Sequence, residues 1–372
     1  MDTLNRDIKV KLLMESDPKT LLNLCRTDKS YNRICSDENF WRRRYTQDYG
    51  AEAASFKNPD RTWRNYYLMT LYYDEKYYPF EALEQVSKKG YHDLVKYFTF
   101  LDNWGIQYVS IWAAEGGHEA LAREYLGSTY DRGFVAAKAL VGNLVDLYSD
   151  LQNDIIPLNA QHLVAFHAAE KGHSDILQDM LDNAGASPAM ALAGAIKGQR
   201  WDLVDMLFPL LKRFPNPDRN DIGWLNILDE AVKQGNMTLI NRVWTAASED
   251  EDFKWVNQDW LRDLFTVGIN ASVESLNSDL LHHYFSEARK AGFPIPFKEG
   301  SEERKHISFS YPITYAINEG YPRSNERERR YMELAEELIA LQPMDIDPGK
   351  AQEMGWRETE RILNNLLVRH QR

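Results

Sequence analysis

With 372 residues the chain has room for two or three compact domains or for one repeat array. A hydrophobic fraction of 44% with 12% aromatic residues excludes intrinsic disorder. The net charge of -12, from 44 Lys and Arg against 56 Asp and Glu, has the wrong sign for a general phosphate-binding surface, so no nucleic-acid partner is expected.

The charge is uneven. Residues 1–66 hold 13 basic and 10 acidic side chains, a net of +3, which leaves 44 - 13 = 31 against 56 - 10 = 46, or -15, for the rest. A division of labour between two segments is expected. The two cysteines, Cys25 and Cys35, both fall in apolar helical patterns, which predicts buried thiols in a reducing compartment and no disulfide between them. The opening MDTLNRDIK has no apolar core of a signal peptide, and no stretch reaches the ~18 apolar residues of a membrane span. A soluble intracellular protein without a membrane partner is expected, in the cytoplasm or the nucleus.

Turn signals divide residues 4–45 into three or four helices of about two turns each. Asp7 is placed to cap a helix carrying Ile8, Leu12 and Leu13, and the pair Asp17-Pro18 stops it and opens the next, since proline at a first helical position gives up an N–H that has no partner anyway. Leu21, Leu22, Leu24 and Cys25 form a wide apolar face on that second helix. Beyond Asp28 come Tyr31, Ile34 and Cys35, and beyond Asp37 come Phe40 and Trp41. Arg42, Arg43 and Arg44 are expected on the solvated side of the last helix.

This run resembles the F-box, in the form common among large DNA viruses of protists, where it often precedes ankyrin-type repeats. The residues that carry the resemblance are Leu4, Asp7, Ile8, Leu12, Leu13, Asp17, Pro18, Leu21, Leu24, Cys25, Ile34, Cys35, Asp37, Phe40, Trp41, Arg42, Arg44 and Tyr45. Asn5 stands where the family has proline, and Ser16 at a usually apolar position. The resemblance implies docking on the adaptor subunit of an SCF-type (cullin-RING) ubiquitin ligase through a face of Leu4, Ile8, Leu12, Leu13, Pro18, Leu21, Leu22, Leu24, Ile34 and Trp41. The alternative is that these helices serve only as a terminal cap on a helical repeat array.

From about residue 80 one phrase returns: small residues, a few polar ones, glycine, then an apolar helix, as in AAEGGHEALAREYL and AAEKGHSDILQDML. The glycines, Gly90, Gly117, Gly142, Gly172, Gly198 and Gly235, lie 27, 25, 30, 26 and 37 residues apart, a period that marks a supersecondary repeat. Each unit reads as a helical hairpin, its glycine closing the first helix in a left-handed conformation. The alanines Ala113, Ala114, Ala168, Ala169 and Ala193 sit where two helices must approach closely. Two modified hairpins come next, around Gly268 and Gly320, with a loop over 292–310 between them and a last helix over 348–369. The phrase resembles the ankyrin repeat, best at 113–126 and 168–181, and this implies a stacked solenoid offering a groove to a protein target.

No G-x-G-x-x-G or P-loop occurs, HEALA at 118–122 lacks the second histidine of a zinc motif, and His162, His167 and His173 are spaced wrongly for one helical face. No catalytic residue, metal or cofactor is expected. The acidic run Ser248–Asp252 is expected as a solvated loop. Among the tryptophans, Trp104, Trp112 and Trp224 are the candidates for lining the groove, because they fall on first helices or the turns before them.

The expected protein is therefore all-α: an F-box-like module with a connecting helix over 1–66, a degenerate ankyrin-like solenoid over 67–345 and a capping helix over 346–372. It is expected to be monomeric by itself and not an enzyme. Its partners would be the ligase adaptor and a protein target, in a viral host-interaction role. The alternative is an ankyrin-like scaffold or inhibitory binding protein with no ligase role.

Overall fold

The structure, a computed structural model, describes residues 6–129, 131–155, 158–212, 222–250, 254, 259–296 and 307–370. Every regular element among them is helical, and they fall into two compact units, 1–106 and 107–372.

The first unit holds α1 (Arg6–Glu15), α2 (Pro18–Thr27), α3 (Lys29–Cys35), α4 (Glu38–Ser55), α5 (Trp63–Lys76), α6 (Pro79–Lys88) and α7 (His92–Leu101). Short-range signals set the first boundaries. Asp17, Asp28 and Asp37 each turn a carboxylate back onto an orphan amide of the helix they precede, at 3.0 Å from Thr20, 2.7 Å from Ser30 and 2.9 Å from Asn39, and such caps are worth about 1 kcal/mol each. Asp7, by contrast, lies inside the first turn of α1.

The core of this unit is aromatic. Phe40, Trp41, Tyr45, Tyr66, Tyr67 and Phe98 are fully buried, Tyr45 stacks on Tyr66 at 4.6 Å between centroids and Trp41 meets Tyr67 at 5.3 Å. Each such ring pair contributes about 0.5–1.5 kcal/mol beyond the area it buries. Arg44 is buried, not solvated: its guanidinium donates to the carbonyls of Leu13 (3.0 Å) and Met14 (2.6 Å) and to Asp48 (2.8 Å). Only Arg42 and Arg43 of the three arginines face water. The other departure is covalent, because Cys25 and Cys35 form a disulfide with Cα atoms 5.8 Å apart. Helix periodicity placed both cysteines inward but says nothing about which inward positions meet across a hairpin.

The second unit holds α8 (Ile106–Glu115), α9 (Glu119–Tyr125), α10 (Arg132–Val141), α11 (Val145–Leu151), α12 (Leu158–Lys171), α13 (Ser174–Asp182), α14 (Pro188–Lys197), α15 (Trp201–Leu207), α16 (Ile222–Lys233), α17 (Met237–Glu249), α18 (Trp260–Glu274), α19 (Ser278–Lys290), α20 (Ser310–Gly320), α21 (Glu326–Leu341), α22 (Pro348–Glu353) and α23 (Arg357–His370). From α10 onward the helices pair in sequence: α10 with α11, α12 with α13, and so on to α20 with α21. The first helix of each pair packs on the first helix of the next, giving the row α10, α12, α14, α16, α18, α20. The expected final helix over 348–369 is broken into α22 and α23 by Gly355, whose φ is +70°.

One turn recurs between paired helices of this unit. In it an amide bonds back to the carbonyl five residues earlier: His118 to Ala113, Leu144 to Ala139, His173 to Ala168, Arg200 to Ala195 and Asn277 to Ser272, at 2.8–2.9 Å. The residue before each amide is left-handed. It is glycine at Gly117 and Gly172, as expected, but Asn143, Gln199 and Leu276 elsewhere. Gly142 and Gly198 therefore serve a different end. Their φ values are negative, and a Cβ on either would overlap a backbone oxygen of the preceding hairpin, Ala114 for Gly142 and Glu170 for Gly198. With Gly194, whose Cβ would overlap the Phe166 carbonyl, and the buried Ala165, Ala168, Ala191 and Ala195, they let successive first helices touch backbone to backbone. Gly268 likewise lies inside α18 under the ring of Tyr284, not in a turn.

Candidate functional site

The residues expected to dock an adaptor divide by depth. Ile8 and Leu12, one helical turn apart on α1, are 53% and 46% exposed, and Pro18, Leu22 and Leu24 are half-buried. Leu13, Leu21, Ile34 and Trp41 are interior, so they shape the module without presenting themselves at its surface. Leu4 lies outside the described residues. Helix α1 is seated by polar ties at both ends, Lys9 Nζ to Ser30 Oγ at 2.9 Å and Arg44 to the carbonyls of Leu13 and Met14. Trp41 donates its indole N–H to the Cys35 carbonyl at 2.7 Å, joining α4 to the end of α3.

The tryptophans proposed for a groove separate in the same way. Trp104 is 81% exposed and comes after two more exposed apolar residues, Phe100 and Leu101. Trp112 is buried against Tyr108, which corrects its expected place on a surface. Trp224 is half-buried and donates its indole N–H to Asp250 at 2.7 Å, so the middle residue of the acidic run is tied to a helix and is not merely solvated. The rest of that run lies outside the described residues, apart from Ser248 and Glu249 at the end of α17.

A polar ladder that the sequence did not reveal runs along the row of first helices. Glu115 pairs with Lys138 at 3.1 Å, Glu170 with Lys197 at 3.5 Å, and Lys233 with both Asp229 (2.8 Å) and Glu274 (2.6 Å). Glu274 also accepts the Tyr311 hydroxyl at 2.5 Å, and its backbone carbonyl accepts the Tyr331 hydroxyl at 2.8 Å. Buried His167 bonds Glu170 through Nδ1 at 2.9 Å, while its Nε2 has no partner among the described residues. Burial holds His167 below the usual histidine range, and burial pushes the Glu230 carboxyl up to about 7. Burial pulls Lys233 down, but Asp229 and Glu274 outweigh it and raise the ammonium above its ordinary value. The pairs Glu115–Lys138, Glu170–Lys197 and Lys233–Glu274 each join consecutive hairpins.

Known protein families, curated proteins and solved structures were all compared with this chain, and none matches it.

Two depressions in the first unit flank the 55–62 segment, one lined by Arg61, Asn65 and Tyr91 and the other by Ser55, His92 and Asp93. Polar groups in both are engaged with the protein itself. Asp93, with its side chain 2% exposed, pairs with Arg61 at 2.9 Å and accepts the Asn58 amide at 3.3 Å, and Ser55 donates to the Glu52 carbonyl at 2.6 Å. Among the described residues no three His, Cys, Asp or Glu side chains gather as a metal site would require, and no helix is long and apolar enough to cross a membrane.

Proposed function

We propose that this chain is a protein-interaction adaptor: a substrate receptor of an SCF-type ubiquitin ligase. Its F-box-like first helices dock the ligase adaptor, and a degenerate ankyrin-like solenoid holds the protein target. The observation that carries the reading is the exposed pair Ile8 and Leu12 on a helix held firmly from behind by Lys9 and Arg44. Two large aliphatic side chains kept in water on a seated helix suit a docking ridge. The row of first helices, closed by one recurring turn, supports the solenoid half, because each hairpin leaves a face that only its neighbour can cover. Such a protein makes and breaks no bonds and acts by raising the effective concentration of a target near the ubiquitin carrier.

The burial of Leu13, Leu21, Ile34 and Trp41 favours a second reading, a scaffold or inhibitory binding protein whose first helices are packed for stability alone. Co-purification of the intact chain with the ligase adaptor and cullin separates the two. Stoichiometric capture that is lost in an Ile8→Asp/Leu12→Asp variant supports the ligase receptor. No capture by a chain that is folded by circular dichroism removes it and leaves the scaffold.

A further inference from the structure

Cys25 lies in the last turn of α2 and Cys35 is the last residue of α3, and both are 3% exposed. Leu21 and Trp41 of the same module are fully buried and Ile34 is buried, and the Cys35 carbonyl accepts the Trp41 indole. The polar ties of the module run from α1 to α3, through Lys9 and Ser30, and from α4 back to α1, through Arg44. The covalent tie fixes α2 to α3. Its loss would act on the hairpin against which α1 is seated.

We infer that the Cys25–Cys35 bond is a redox-set latch of the first unit: closed, it holds the α2–α3 hairpin and with it the seat of α1; open, it loosens these helices and leaves the second unit unchanged. A small-molecule thiol such as glutathione opens it. The thiolate attacks one cysteine sulfur, the S–S bond breaks, and its electron pair leaves on the other sulfur, which takes up a proton. A second thiol resolves the mixed disulfide, so one protein disulfide and two small thiols become two cysteine thiols and one small-molecule disulfide. Because both cysteines are buried, attack waits on local opening of the hairpin, and the latch responds slowly in the folded chain. The effect on the exposed pair Ile8 and Leu12 as a docking ridge rests on the function proposed above; the redox chemistry and the loosening do not.

The test uses the full chain equilibrated with oxidised or reduced glutathione. After the oxidised buffer, denaturation and iodoacetamide, no alkyl group is expected on either cysteine, and after dithiothreitol two are. Native reduction should run at least ten-fold slower than reduction in denaturant. Amide exchange over residues 18–35 should quicken at least ten-fold in the reduced chain and in a Cys25→Ser/Cys35→Ser variant, with residues 158–212 unaltered. The transition of the first unit should fall by roughly 10 °C, from the loop-closure entropy of a staple of this span. Two alkylated cysteines at every glutathione ratio, or identical exchange in the two redox states, overturns the latch. If exchange responds but neither state captures the ligase adaptor, the latch stands and the ligase reading falls; if both states capture it equally well, control of docking by the latch is refuted.

Discussion

In the first unit the largest buried side chains are rings, Trp41, Tyr45, Tyr66 and Tyr67, and two arginine–carboxylate pairs with one buried partner each, Arg44 with Asp48 and Arg61 with Asp93, hold helices that share no repeating geometry. In the second unit the interfaces between successive first helices are made of alanine and glycine, at Ala165, Ala168, Gly194, Ala195 and Gly198, and one turn is used again and again. One unit depends on particular large side chains meeting once, the other on the absence of side chains at regular places. The first is vulnerable to loss of a partner and the second to gain of an atom.

The largest effect is expected from Arg61→Met. It leaves the buried Asp93 carboxylate with the backbone amides of Asn58 and Leu94 and without Arg61, and leaving a buried charge without its partner costs about 3–5 kcal/mol. Urea unfolding followed by amide exchange should place the loss in residues 55–101, and a loss under 1 kcal/mol would mean that the pair is solvated and the contrast false. Close behind comes Gly194→Ala, one methyl group set against the Phe166 carbonyl, with an expected loss of about 3 kcal/mol because neither backbone can yield without parting α12 from α14. A control is the alanine neighbour Ala189→Gly on the same helix, where no such overlap arises and the change should stay near 1 kcal/mol. Equal losses in the two variants would show that the helices are not in backbone contact.

Legibility in the amino-acid sequence divides along the same line. The glycine-centred phrase revealed the hairpins because a repeat states its rule several times, so that Asn143 or Leu276 in place of a glycine does not hide it. The helix boundaries at Asp17, Asp28 and Asp37 were legible because what sets them is local: each carboxylate caps an amide two or three residues away. The contacts that fix the first unit were not. Arg44 meets Leu13, and Arg61 meets Asp93, across about 30 residues with no periodicity to announce them. The ladder from Glu115 to Glu274 was hidden differently: its members lie shortly before the turns, but acids and lysines are mixed among them, so a search for like residues passes over them. Of the docking face, helical spacing found the apolar positions but could not separate Ile8 from Leu13, since the side of α1 that faces inward is chosen by Arg44 and Ser30.

A smaller effect sharpens the ladder's place in the second unit. Burial raises the Glu230 carboxyl from its ordinary 4.5 to about 7, so folding favours the protonated acid; its contribution is complete below about pH 4.5 and is lost as pH rises through 7. His167, held below its ordinary 6.5 by burial, acts in the opposite sense and weakens the fold as pH falls below that value. Glu230→Gln should therefore match the parent at pH 5 and exceed it at pH 8 by about 1 kcal/mol, after allowance for the part of the side chain that water screens. Urea midpoints at the two pH values read this directly. A variant weaker than the parent at pH 8 would mean that the ionised carboxylate is paired in the row and strengthens it.

The smallest effect on stability carries the most functional information. Ile8 and Leu12 are half exposed on α1, and replacing surface side chains moves stability by no more than about 0.5 kcal/mol, so Ile8→Asp/Leu12→Asp should unfold within that margin of the parent. Leu21→Ala, on the neighbouring helix but fully buried, should lose about 2–5 kcal/mol. If the first unit exists to dock an adaptor, the stable double variant loses capture while Leu21→Ala, assayed well below its melting temperature, keeps much of it. If the unit serves only as a packed cap, the order reverses: the exposed pair is dispensable for any partner the chain retains, and the buried leucine governs everything through folding. Two exposed side chains thus decide whether the aromatic core of the first unit supports a docking surface or is an end in itself.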